Sequence, residues 1–195
     1  MDRKEATTRT LTTAMVVAAL AFLTGCIGVE SRNPLFPENA REAVFDPTLL
    51  GKWQAVADDN PTVYEVSRLN DSAYAVPYES AGDGIARVRL LKVRGISLLD
   101  VSYVSWESQD SGLTRQYFSY HMYAKVRIEP NALHVAAMSK KWMEGFLATR
   151  KLAHYAGAGE LVLTAPSAEL RKTLLSYLNH PDTFGPEEIE LRRVK

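Results

Sequence analysis

Residues Ile85 to Val104 constrain the fold more than any other stretch of this chain. Two runs of β-prone residues, Ile85–Val93 and Ile96–Val104, flank the dipeptide Arg94-Gly95. So short a connection permits an antiparallel hairpin, whereas a parallel return needs a crossover of a dozen residues or more. A two-residue turn also sets which side chains oppose each other. Leu90 then lies opposite Leu99, Val88 opposite Val101 and Ala86 opposite Tyr103, which makes one face apolar. On the other face Leu91 meets Leu98, Arg87 meets Ser102 and Arg89 meets Asp100. Asp100 interrupts an apolar run, and this register supplies it with a partner of opposite charge.

The same pattern recurs along the chain. Gly51–Val56 reads as a first strand, entered through a single helical turn at Asp46-Pro47, where Asp46 is a capping side chain and Pro47 suits the first helical position. Thr62–Leu69 and Ser72–Tyr78 are separated by Asn70-Asp71, both tolerant of turn conformations. Residues 106–115 are polar and read as a loop. Gln116–Ile128 and Leu133–Met138 flank a turn at Pro130-Asn131 that pairs Val126 with Val135, Ile128 with Leu133, Ala124 with Ala137 and Arg127 with His134.

Two amphipathic helices come late. Trp142, Met143, Phe146 and Leu147 form an apolar stripe within Lys140–Lys151, and Leu170, Leu174, Leu175 and Leu178 form another between Pro166 and Asn179. Between them, Lys151–Tyr155 and Leu161–Thr164 read as strands about a glycine-rich turn, and Glu187–Val194 as a final edge strand. The expected class is α+β, mainly antiparallel β, with one curved sheet or a barrel.

The beginning of the chain has a different character. Arg3, Lys4 and Arg9 outweigh Asp2 and Glu5, and Leu11–Leu23 is an apolar run of 13 residues. That is short of the roughly 20 needed to span a bilayer but suits the h-region of a signal peptide. It ends in Leu23-Thr24-Gly25-Cys26, and Cys26 is the one cysteine of the chain. This tetrapeptide resembles the lipobox of bacterial lipoproteins. The resemblance implies that signal peptidase II recognises Leu23, Thr24 and Gly25, and that Cys26 becomes the acylated amino terminus. The expected organisation is a signal peptide (1–25), a lipid-anchored flexible tether broken by Pro34 and Pro37 (26–45) and one β-rich domain (46–195). The expected location is the cell envelope. Ile27, rather than Asp, after the cysteine favours the periplasmic face of the outer membrane in a Gram-negative cell.

Function classes narrow by exclusion. Basic and acidic residues balance at 23 each, which leaves no electrostatic footprint for nucleic acid. An acylated Cys26 leaves no thiol for a disulfide or a metal. His121, His134, His154 and His180 are too dispersed to suggest a metal centre and read as surface or capping residues. Ser167 reads as a helix cap. There is no G-x-S-x-G elbow and no phosphate loop. No catalytic residue, cofactor or metal is assigned.

Gly51-Lys52-Trp53 resembles the G-x-W signature of lipocalins, small-molecule-binding barrels in which the Trp packs at the closed end under an Arg of the last strand. Arg192 or Arg193 is the corresponding cation. The two late helices depart from that pattern. Leu49 through Trp53, Leu99-Asp100 and Leu163-Thr164-Ala165-Pro166 are also similar to segments of small bacterial lipoproteins of no known activity. Trp53, Tyr74 and Tyr103 are the candidate ligand-lining or core aromatics. The expected function is a non-enzymatic module, held to the membrane by its lipid, that binds a small apolar ligand or an envelope protein. The alternatives are an envelope hydrolase with a site assembled from scattered residues and a structural accessory.

Overall fold

A computed structural model describes residues 28–56, 62–78, 84–104, 120–157, 160–185 and 188–194. The lipobox residues Leu23, Thr24, Gly25 and Cys26, and the whole of the loop expected at 106–115, lie outside this range.

The hairpin that dominates the sequence forms with the expected register. Strands β6 (Gly84–Val93) and β7 (Ile96–Val104) pair Arg89 with Asp100 and Leu90 with Leu99. Arg94 and Gly95 both take positive φ, 51° and 80°, the conformation whose twist suits a two-residue hairpin. Strands β8 (His121–Ile128) and β9 (Ala132–Ala137) also adopt the expected pairing, Val126 with Val135 and Ile128 with Leu133. Strands β3 (Gly51–Ala55), β4 (Val63–Asn70) and β5 (Ala73–Tyr78) precede them. The β4–β5 turn falls at Asp71-Ser72 rather than Asn70-Asp71, because a bulge after Arg68 carries Asn70 into the ladder opposite Ala73.

The sheet closes. Strand β12 (Ile189–Arg193) pairs with β3 on one side and with β9 on the other. It is therefore an interior strand rather than the expected edge. Around the ring the order is β3, β4, β5, β6, β7, β8, β9, β12, an eight-stranded antiparallel barrel among the described residues.

Residues 28–45 are part of this fold, which corrects the expectation of a flexible tether. Strand β1 (Val29–Ser31) pairs antiparallel with the first residues of β8, beyond the point where β9 ends. Strand β2 (Ala43–Val44) pairs with Leu90 and Leu91 of β6, beyond the point where β5 begins. Each fills a notch in the wall. Between them Leu35 and Phe36 are buried, because the outer face of the barrel is itself apolar enough to need covering. Pro34 and Pro37 shape the crossing rather than loosening it.

Helix α1 (Lys140–Thr149) is capped by Ser139 and buries Met143 and Phe146. Strand β10 (His154–Gly157) starts three residues later than expected and pairs with β11 (Glu160–Leu163). Strand β11 in turn runs parallel to β1. Helix α2 (Ser167–Leu174) ends earlier than expected and gives way to turns, although Leu178 is still buried. Its N-cap position is Pro166, so Ser167 is the first helical residue rather than the cap. Both helices, β1 and the crossing segment pack outside the barrel around Leu91, Leu98, Tyr123 and Met138, forming a second core. Among the described residues no helix is long and apolar enough to cross a membrane.

Candidate functional site

The interior of the barrel narrows to a packed floor. Trp53 on β3 is buried and donates its indole N–H to the carbonyl of Leu49 at 2.9 Å. That carbonyl belongs to the single 3-10 turn Pro47–Leu49, which Asp46 caps through the Thr48 amide. Arg193, near the end of β12, lies 4.3 Å from the Trp53 ring centroid. Its guanidinium donates to the carbonyls of Leu50, at 2.8 Å, and Thr48. A cation over an indole face is electrostatically favourable, and here it also ties the last strand to the first. Of the two cations expected to serve, Arg193 takes this place, while Arg192 pairs with Glu190.

Gly51 makes the arrangement possible. Its φ is +116°, and a Cβ there would lie 2.8 Å from the Arg193 guanidinium. The glycine of Gly51-Lys52-Trp53 thus removes the side chain that would block the arginine. Tyr74 completes the floor, with its hydroxyl 2.6 Å from the Asp46 amide and its ring stacked on Phe45. Burial raises the pKa of its phenol above the ordinary value.

Above the floor the side chains become small. Ala55, Ala86, Ala124 and Ala137 point inward where Trp53, Tyr74 and Leu90 fill the space lower down. The result is a cavity of about 200 Å³. For comparison, an apolar cavity of about 150 Å³ stays dry and accepts benzene. Trp53 and Tyr74 line the cavity with Val88, Val101, Met122 and Leu133, and among the described residues no charged side chain lines it. Tyr103 sits in β7 opposite Ala86, and its side chain lies outside the description. The alanines and Met122 were not singled out from the sequence. Their signal was present in the apolar faces of the two hairpins, where Ala86 and the Ala124–Ala137 pair mark the thin places.

A polar cluster lies on the other side of the same wall. Arg89 and Asp100 form a buried ion pair at 2.5 Å. Arg89 also donates to the carbonyls of Phe36 and Pro37, both at 2.8 Å. Tyr123 holds the preceding turn, accepting from the Leu35 amide at 2.7 Å and donating to the Asn33 carbonyl at 3.2 Å. Burial, and then the nearby Asp100 charge, push its phenol pKa well above the ordinary range.

His121 corrects the reading of the histidines as surface or capping residues. Its Nδ1 is 2.7 Å from the second oxygen of Asp100, and it sits opposite Ser31 and Ser102. Asp100 orients His121 as a carboxylate orients a general base. However, Arg89 already neutralises that carboxylate, and the group's bonds run to the backbone of the crossing segment. This is the chemistry of a clamp. Among the described residues no group of three or more His, Cys, Asp or Glu side chains is placed to hold a metal. The chain matches no family model, no curated protein and no solved structure.

Proposed function

We propose that this protein is a non-enzymatic envelope lipoprotein that carries a small apolar ligand inside its barrel and is held to the membrane through acylated Cys26. The observation that carries the binding reading is the cavity inside the closed sheet, lined among the described residues by aliphatic and aromatic side chains with no charged group. Apolar pockets of this kind gain affinity by burial, and among the described residues the polar side chains in its walls are the tyrosines Tyr64, Tyr74 and Tyr123. The floor arrangement of Gly51, Trp53 and Arg193 supports a lipocalin-like use of the barrel. The anchoring reading rests on the Leu23-Thr24-Gly25-Cys26 tetrapeptide and the apolar run before it. Ile27 supports the outer membrane in a Gram-negative cell.

Two experiments test the two halves. Purified protein titrated with a neutral fluorescent probe such as N-phenylnaphthylamine is expected to bind it at one site. Ala86→Phe, which fills the cavity, is expected to weaken binding by about tenfold or more, a loss of at least about 1.4 kcal/mol. Equal binding by a folded Ala86→Phe variant would sink the cavity reading. Mass spectrometry of the membrane fraction is expected to find Cys26 as an acylated N-terminus, and Cys26→Ser is expected to leave the protein unacylated.

A further inference from the structure

We infer that the barrel stands with its rim, the end where the chain enters at Gly28, against the membrane, and takes the acyl tail of a bilayer phospholipid into its cavity. The inference rests on the acylation of Cys26 proposed above. The two ends of the barrel are distinguishable. Trp53, Arg193 and the turns at Asp71-Ser72, Arg94-Gly95 and Pro130-Asn131 lie at the floor end. At the opposite end β8 begins, with His121 and Met122 paired to Ser31 and Glu30 of β1.

Gly28 and Val29 line the cavity at this end, and a Cβ on Gly28 would lie 3.8 Å from Met122 Sδ. Cys26 is two residues upstream of Gly28. Two residues reach at most about 7 Å, so acyl chains on Cys26 are rooted at the rim. Strand β8 has eight residues from rim to floor, roughly 25 Å along the strand at about 3.3 Å per residue. Because β1 is paired on both sides and the crossing segment is clamped, no slack remains to turn the floor toward the bilayer.

The lining selects the occupant. A free fatty acid carries a carboxylate that would find no cation among the described residues of the cavity wall. At the rim it would meet Glu30, which lies opposite Met122 and has Glu160 as a neighbour. A phospholipid tail avoids both costs, because its head stays in the interface while the tail enters. The cavity volume suits a segment of a chain rather than a whole lipid.

The test uses the full acylated protein in phosphatidylethanolamine and phosphatidylglycerol vesicles, with Trp53 as sole tryptophan after Trp106→Phe and Trp142→Phe. Lipids brominated along the tail are expected to quench Trp53. Adding Ala86→Phe is expected to remove most of the quenching. A flexible Gly/Ser insertion of roughly 20 residues between Ile27 and Gly28 is expected to reduce it severalfold, since a coil of that length reaches about 25 Å. Absent quenching in acylated, vesicle-bound protein overturns the inference, as does quenching that the insertion leaves unchanged. Quenching only when the acyl group on Cys26 itself carries the bromine overturns it too, since the occupant is then the anchor. An unmodified Cys26 instead overturns the anchoring reading beneath it, and mass spectrometry reports that separately.

Discussion

The wall made by β6, β7 and β8 has two faces with opposite fates. Its inner face carries Val88, Leu99, Val101 and Ala124, as apolar as any core, yet it borders empty space. Its outer face carries Arg89, Asp100, Ser102 and His121, a composition that suggests solvent, yet Arg89 is 3 % exposed and Asp100 is 1 % exposed. Polarity therefore does not mark the solvent side of this sheet. The outer face is filled by the crossing segment and the two helices, and it holds the larger of the two buried clusters. Packing on the outside stabilises the fold, which leaves the inside free to remain unfilled.

The harshest way to break that contrast is Asp100→Ala. It would leave the Arg89 guanidinium buried without its counter-ion, and losing one partner of a buried pair costs about 3–5 kcal/mol. Urea denaturation should show a large fall in unfolding free energy, and a fall below about 1 kcal/mol would mean that the outer cluster is solvated. The net worth of the intact pair is a separate and smaller quantity, since desolvation offsets most of its attraction.

Leu35→Ala comes next. Leu35 is fully buried, and truncation of such a residue costs about 2–5 kcal/mol through lost burial and the cavity left behind. The matching interior change, Ala86→Phe, adds volume where space already exists and should shift stability by less than about 1.5 kcal/mol while removing ligand binding. Parallel denaturation and probe titration of the two variants would separate the faces. Comparable losses of stability would erase the distinction.

Gly51→Ala tests the floor that joins the faces. It combines a positive-φ position with a close approach to Arg193, and such strain costs about 1–3 kcal/mol. Near-ultraviolet circular dichroism should report a disturbed Trp53 environment if Arg193 is displaced.

The smallest effect concerns Glu30. Burial, then the charge of Glu160, raise its folded pKa above the ordinary value of 4.5. The folded state therefore disfavours the ionised form, and stability declines as pH rises from the unfolded pKa through the folded one. Glu30→Gln should be slightly more stable than the parent at neutral pH and lose that advantage below the ordinary glutamate pKa. A pH-independent difference between the two melting curves would refute the assignment.

Hairpin registers were legible because two-residue turns couple local sequence to pairing, and Arg89 with Asp100 was located on that basis alone. The cation over Trp53 was narrowed to two residues from the G-x-W pattern. Four features were hidden for physical reasons. The packing of residues 28–45 depends on notches that exist only beyond the start of β5 and the end of β9. The burial of the Arg89–Asp100 pair depends on what covers it. The interior place of β12 depends on closure of the sheet, which no local pattern encodes. The cavity is a difference in volume between side chains far apart in sequence, and Ala86 facing inward looks like any other apolar position.

The closing strand has a consequence in time. Leu191 pairs with Ala55 and Arg193 with Trp53, contacts between strands far apart in the chain. Such non-local pairings form late, since the intervening chain must lose its freedom before they reward it. While the chain is still incomplete, the earlier hairpins can assemble into an open trough, but the trough has neither its eighth stave nor the arginine over its tryptophan until β12 arrives. A chain stopped short of Ile189 would thus be an unfinished vessel with two bare sheet edges, open to proteolysis.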